Sequence, residues 1–133
     1  MAGIRITTQV RDWLIIDATI DNTVAIEAVG GDSNAVQLGH RIREVGWTQT
    51  RQHPRKADGW GGWPPVDDYL EITLEPSAWV FIVEQLHRWA AADERISDDP
   101  RWGDNEPEER RRSAGKARGI ADRITRRLTG VAE

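Results

Sequence analysis

The segment YLEITLEPSAWVFIVEQLHRWA, residues 69–90, gives the clearest structural signal in the sequence, because its periodicity changes from that of a strand to that of a helix. Leu70, Ile72 and Leu74 alternate with polar residues, which is typical of a strand with one buried face. Pro76 stands where a first helical residue is expected. Beyond it, apolar residues recur every three or four positions, which predicts a helix over 76–92 whose stripe comprises Trp79, Ile82, Val83, Leu86, Trp89 and Ala90.

A second amphipathic helix is predicted downstream, over 108–129, after a polar connector at 97–107. Its apolar stripe comprises Ala117, Ile120, Ala121, Ile124, Leu128 and Val131. Each stripe would be exposed to water unless another element covered it. We therefore predict that the two helices pair as an antiparallel C-terminal hairpin and pack against the sheet.

The first 29 residues have the alternation of strands. One series is Ile4, Ile6, Thr8 and Val10, and a second is Leu14, Ile16, Ala18 and Ile20. Asp21-Asn22 tolerates the positive φ of a tight turn, which predicts a hairpin with the segment 23–29. The pattern leaves open whether Arg11-Asp12 is a turn or a bulge within one long strand.

The segment from 30 to 68 contains a predicted helix, an edge strand and a long loop. Ser33 is a candidate N-cap and Gly46 a candidate C-cap, which places a helix over 33–45. Residues 47–53 are mostly polar, so a strand there would lie at a sheet edge. Residues 54–68, PRKADGWGGWPPVDD, contain three prolines and three glycines and predict an irregular loop.

These elements together predict a single α+β domain over 1–133. Its expected architecture is an antiparallel sheet of four to five strands with helices packed on one face, sheet-rich over 1–75 and ending in a helical hairpin over 76–129. The order of the elements does not by itself point to a function.

Composition narrows the class of protein. The 133 residues include no cysteine, which excludes disulfides, thiolate metal sites and cysteine nucleophiles. The sequence has neither an apolar run long enough for a membrane span nor the apolar core of a signal peptide, so we expect a cytoplasmic protein without membrane contact. The net charge is −4, yet residues 107–133 carry +4.

The polar residues form no recognisable catalytic or metal-binding motif. The three histidines, His40, His53 and His87, are scattered, and Glu84 with His87 is a single Glu-x-x-His pair where di-iron bundles use two. The sequence has no clear pair of carboxylates for acid–base catalysis and no G-x-S-x-G motif for a serine nucleophile. The sequence therefore predicts no catalytic residue, no metal and no cofactor.

The loop at 54–68 is the first candidate functional surface. Its length exceeds that of an ordinary connection, and such loops are often functional. Its two tryptophans, Trp60 and Trp63, either fold back as a lid or serve as exposed anchors for a partner. The predicted partner-binding residues combine this loop with the adjacent edge: Trp47, Arg51, His53, Trp60, Trp63, Pro64 and Pro65.

The basic face of the last helix is the second candidate. A row of cations along a helix can contact phosphates of a nucleic acid. Local pairs such as Glu108 with Arg112 and Asp122 with Arg126 would instead make it an ordinary solvated face. The residues of this alternative are Arg111, Arg112, Lys116, Arg118, Arg123, Arg126 and Arg127.

Three functions therefore remain open. We favour a non-enzymatic protein-binding or regulatory module, such as an inhibitor, an immunity protein or a phage-type effector, whose partner is another protein or a second copy. The alternatives are a nucleic-acid-binding regulator, and a small-ligand-binding or enzymatic domain with a pocket under the tryptophan loop. An exposed Trp60/Trp63 pair would favour the protein-binding module. A continuous positive face would favour the nucleic-acid-binding regulator, and a concave polar pocket would favour the small-ligand-binding or enzymatic domain.

Overall fold

The computed structural model describes residues 3–99, 101 and 106–130. In chain order they form β1 (Ile4–Gln9), α1 (Val10–Glu27), α2 (Ser33–Gln52), a short 3-10 turn (Trp60–Gly62), β2 (Tyr69–Leu74), α3 (Pro76–Asp98) and α4 (Pro107–Thr129). The chain divides into two compact units, Met1–Trp79 and Val80–Glu133. The protein is thus α+β, with helices dominating the described residues at 72%.

The predicted sheet of four to five strands is wrong, because the described residues form one antiparallel sheet of two strands. The segments expected as a strand and a hairpin form α1. Its buried side chains include Trp13, Ile16, Ile20 and Val24, which are spaced by three or four residues as on one helix face. Asp21-Asn22 lies within this helix. Arg11 and Asp12 belong to the first turn of the helix, so they form neither a β-turn nor a β-bulge.

The two strands form a ribbon in the register Ile4↔Leu74 to Gln9↔Tyr69. Ile6, Leu70, Ile72 and Leu74 turn their side chains into the core. The indole of Trp79, in the first turn of α3, donates a hydrogen bond from Nε1 to the carbonyl oxygen of Ile4 at 2.9 Å. The start of α3 is thereby attached to the start of β1.

α2 is longer than predicted and packs closely on α1. Its N-cap is Asp32 rather than Ser33, since the Asp32 carboxylate accepts hydrogen bonds from the backbone N–H groups of residues 34 and 35. Gly46 is not a C-cap but an interior residue of α2 that faces Trp13 of α1. The predicted edge strand at 47–53 is therefore also wrong, because α2 continues through Gln52.

The second unit contains most of α3 and all of α4. Ion pairs join Arg110 to Asp93 at 3.2 Å, Arg111 to Asp98 at 2.9 Å and Arg118 to Glu94 at 2.6 Å. Arg111 thus contacts the end of α3 at Asp98, whereas Arg118, two turns later in α4, also contacts His87 at 2.9 Å, three turns earlier in α3, so the helices are antiparallel neighbours. Their buried residues are Ile82, Leu86, Ala90, Ala114, Ala117, Ile120, Ala121 and Ile124. Val131 and much of the predicted connector, residues 100 and 102–105, lie outside the described residues.

Candidate protein-binding loop

The tryptophan loop, residues 54–68, leads from the end of α2 to β2. Gly59 donates its backbone N–H to the carbonyl of Trp63 at 2.7 Å, and Trp63 donates back to the carbonyl of Trp60 at 3.2 Å. Gly61 and Gly62 have φ values of 66° and 84°, a region that side chains other than glycine rarely adopt. These features close a compact turn around Trp60.

Trp63 and Pro64 attach this turn to the rest of the unit. Trp63 is only 7% exposed, and its ring packs on that of Trp47, with centroids 4.4 Å apart and planes tilted by 36°. Pro64 is fully buried. A Cβ atom at Gly59 would lie 2.3 Å from the Pro64 carbonyl oxygen, so glycine is needed for this close approach. Three residues of the predicted surface therefore hold the loop in place: Trp47, Trp63 and Pro64.

Trp60 has the opposite environment. Its side chain is 85% exposed, although it belongs to a turn that is hydrogen-bonded on both sides. Val66 and Tyr69, further along the same segment, are also exposed large apolar residues. The predicted pair of exposed anchors is thus divided, with one tryptophan folded back and the other facing solvent.

Polar contacts fix the base of the loop. His53 Nδ1 accepts the backbone N–H of Arg55 at 2.9 Å, so the ring proton lies on Nε2, which faces Asp68 Oδ2 at 3.7 Å. The Arg55 guanidinium lies between Asp58 at 3.3 Å and Asp68 at 3.6 Å. His53 thus acts in loop attachment.

The two remaining residues of the predicted surface differ in exposure. Arg51 is exposed and donates to Thr48 Oγ1 at 3.2 Å, along its own helix. The carbonyl of the half-buried Pro65 accepts the Asp68 N–H at 3.0 Å. Arg51 alone of these two keeps an exposed side chain beside the loop.

The basic face of α4 is partly neutralised by α3. Arg118 binds Glu94 through two nitrogens and contacts His87 Nδ1 at 2.9 Å. The hydrogen bond from Arg118 lowers the pKa of Glu94, and the same bond raises the pKa of Arg118. Arg111 binds Asp98. The nucleic-acid alternative stays a prediction that rests on the exposed residues Arg112, Lys116, Arg123, Arg126 and Arg127.

The expected local ion pairs of α4 do not form in the part of the chain that the structure describes. Neither Glu108 with Arg112 nor Asp122 with Arg126 lies within ion-pair distance there. The acids that pair with Arg111 and Arg118 instead come from α3. Sequence spacing within α4 could not indicate these partners, because they depend on the antiparallel arrangement of the two helices.

A cavity of about 540 Å³ lies between α2 and the end of β2. None of its lining residues belongs to the tryptophan loop, so it is not the pocket expected beneath that loop. Within residues 3–99, 101 and 106–130, no three histidines or carboxylates cluster closely enough to hold a metal ion.

The described residues also contain an ionic cluster that the sequence did not predict. Arg43 of α2 donates to both oxygens of Asp17 at 3.1 and 3.3 Å, and to Asp21 at 2.8 Å. The hydrogen bond to Asp17 raises the pKa of Arg43. The i,i+4 spacing of Asp17 and Asp21 is the signal that could have found it, but only once α1 is recognised as a helix.

No protein-family model, curated protein or solved structure significantly matches this chain. In the described part of the chain, the helices lack the combination of length and apolar character that membrane crossing requires. Inferences about function therefore depend on the residues themselves.

Proposed function

We propose that this chain is a non-enzymatic protein-binding module that acts in the cytoplasm as a regulator or inhibitor, with Trp60 as its anchor. The observation that carries the proposal is the 85% exposure of Trp60. Tryptophan is strongly enriched among the residues that contribute most to protein–protein affinity. Burial of the apolar part of an indole is favourable. The exposed ring of Trp60 would therefore be stabilised if a partner buried it.

The backbone beneath Trp60 supports this role. The turn is closed by the hydrogen bonds of Gly59 and Trp63 and held by the Trp47–Trp63 contact. A partner would therefore have to order little more than the two side-chain torsions of one indole. Preorganisation of this kind raises affinity by reducing the entropy lost on binding.

Exposed side chains further along the same segment match the composition of an interface, which has an apolar centre and a polar rim. Val66 and Tyr69 supply exposed apolar surface close to Trp60 in sequence. The ion pair of Arg11 with Asp67 supplies charge on the same segment. We expect a folded protein surface with a pocket for one indole as the partner.

The test compares Trp60→Ala with Val29→Ala in the full chain. Val29 is a matched control, because it is 86% exposed in the loop between α1 and α2. Both variants and the wild type are immobilised, proteins are captured from lysate of the native host, and the affinity of each captured protein is then measured by calorimetry. Sedimentation velocity of the same variants detects self-association.

We expect Trp60→Ala to weaken binding by about 2 kcal/mol or more, the scale of an interface hot spot, and Val29→Ala to leave it unchanged. Self-association lost in Trp60→Ala would identify a second copy as the partner. Equal affinities for the wild type and Trp60→Ala, or no specific capture and no self-association, would contradict the proposal.

A further inference from the structure

The outer edge of β2 carries unpaired backbone groups. Val10 N–H donates to the Asp68 carbonyl at 2.8 Å, next to the pair Gln9↔Tyr69. In an antiparallel ladder this bond makes Gln9↔Tyr69 a non-hydrogen-bonded pair, so the N–H and C=O groups of Tyr69, Glu71 and Thr73 point away from β1. Among the described residues, these groups have no hydrogen-bond partner.

α2 runs antiparallel to β2. Arg41 pairs with Glu75 at 2.8 Å just after β2 ends, whereas His53, after the end of α2, faces Asp68 just before β2 begins. The cavity of about 540 Å³ lies between the two elements, a size within the range of ligand-binding clefts. A helix and the end of a strand with unpaired edge groups therefore line a single groove.

The lining of this groove has an apolar floor and a charged rim. The apolar residues are Leu38, Ile42, Val45, Leu74 and Ala78, and the polar ones include Thr48, Gln49 and Thr73. The lining also includes two carboxylates, Glu44 and Glu75, and one cation, Arg41, which already pairs with Glu75. The rim thus has an excess of negative charge.

We infer that this groove binds an extended peptide with alternating apolar and basic residues, which adds as a third strand to the edge of β2. The free N–H and C=O groups of Thr73, which lines the groove, and of Glu71, two residues earlier on the same edge, bond to its backbone, as in strand addition. Its alternate side chains point the same way and enter the apolar floor. Its basic side chains complement Glu44 and Glu75. This surface is separate from Trp60.

The probe is a capped ten-residue peptide of alternating valine and lysine, titrated into the full chain by calorimetry. Two protein variants and one modified peptide test whether the peptide binds in the groove. Val45→Trp fills the floor, and Thr73→Pro removes an N–H that faces away from β1 while leaving the β1–β2 bonds intact. The same peptide methylated on alternate backbone nitrogens keeps its charge and side chains but cannot donate along one edge.

We expect saturable one-to-one binding that each of the three changes weakens at least about tenfold, a difference of about 1.4 kcal/mol. The matched control Gln37→Trp places the same ring on an exposed position of α2 outside the groove. It should bind as the wild type does, and so should Trp60→Ala, which separates this inference from the proposed function. Circular dichroism establishes that each variant is folded, and the methylated peptide requires no variant.

Several results would overturn the inference. These are the absence of saturable binding, equal binding of the methylated peptide, or unchanged affinity in Val45→Trp. Equal binding of a valine–glutamate peptide would exclude a basic ligand. A dimer in sedimentation experiments that Thr73→Pro dissociates would show that a second copy, rather than a peptide, occupies the edge.

Discussion

Gly46 is the residue on which the close packing of α1 and α2 depends. A Cβ atom there would lie 2.3 Å from Nε1 of the fully buried Trp13. That Nε1 is also buried without a hydrogen-bond partner among the described residues. The Trp13 ring is thus placed by packing against the bare backbone of α2 rather than by a polar contact.

Gly46→Ala should therefore destabilise the protein. Alanine is more favourable than glycine in a helix interior by about 1 kcal/mol, but overpacking typically costs about 1–3 kcal/mol. Because the Trp13 ring is fixed, we expect the cost of the short contact to exceed the gain in helix propensity. We expect a net loss of about 1–2 kcal/mol in the free energy of unfolding in urea. Gly115→Ala is the control, since no atom lies within 4 Å of its Cβ, and it should stabilise. A Gly46→Ala variant as stable as Gly115→Ala would disprove the account of this contact.

Leu86 makes the corresponding prediction for the second unit. It is fully buried in α3, as the apolar stripe predicted. Leu86→Ala should lower the free energy of unfolding by about 2–5 kcal/mol, because it leaves a cavity. Denaturant titration measures the change, and a loss below about 0.5 kcal/mol, typical of a surface site, would refute the assignment.

At the scale of the element, the sequence predicted β2 and the start of α3 correctly but misidentified α1. Ile16 and Ile20 fit both a period of two and a period of 3.6, so the intervening residues decide. Ala18 is exposed where the strand pattern required burial, whereas Trp13 is buried. Thr19 and Thr23, which favour strands, are accommodated because their hydroxyls donate to carbonyls four residues earlier.

The tryptophan loop could be located but not interpreted from its sequence. Composition alone predicted an irregular segment at 54–68. Whether Trp60 or Trp63 faces solvent depends on the backbone angles of Gly61 and Gly62, and on the presence of Trp47 opposite Trp63. The sequence predicts a strand edge at Trp47, and from that position its contact with Trp63 cannot be inferred.

The contact between α3 and α4 makes a pH-dependent prediction. The pKa of Glu94 is lowered by its hydrogen bond to Arg118, so its contribution to stability is present above the ordinary glutamate value. That contribution is lost as pH falls below about 4.3 and through the lowered pKa. We expect Glu94→Gln to have a lower thermal midpoint than the wild type at pH 7, with the difference vanishing in acid.

The control for this experiment is Glu84→Gln, an exposed glutamate on the same helix. Because Glu94 is solvent-accessible, the effect should be small, and thermal unfolding followed by circular dichroism at several pH values measures it. A difference that persists unchanged at pH 2 would show that Glu94 stabilises the hairpin by some means other than its charge.

At the scale of the whole molecule, charge argues against tight binding of nucleic acid. The chain carries −4 overall, and Arg111 and Arg118 of α4 already pair with α3. We expect gel-shift assays at two salt concentrations to show nothing tighter than weak, roughly micromolar, non-specific binding. Submicromolar binding with a steep salt dependence, reduced by about one unit of slope per neutralised residue at Arg112, Lys116 or Arg126, would restore that alternative.

The two tryptophans of this loop have opposite environments: Trp63 attaches the loop through Trp47, and we propose that the exposed Trp60 is the anchor for a partner. A double substitution confounds these roles. The most direct measurement is therefore the free energy of unfolding of Trp60→Ala and Trp63→Ala, determined separately in urea. We predict a change within about 0.5 kcal/mol for Trp60→Ala and a loss of about 3–5 kcal/mol for Trp63→Ala. Equal losses in the two variants would contradict this division and make Trp60 a structural residue.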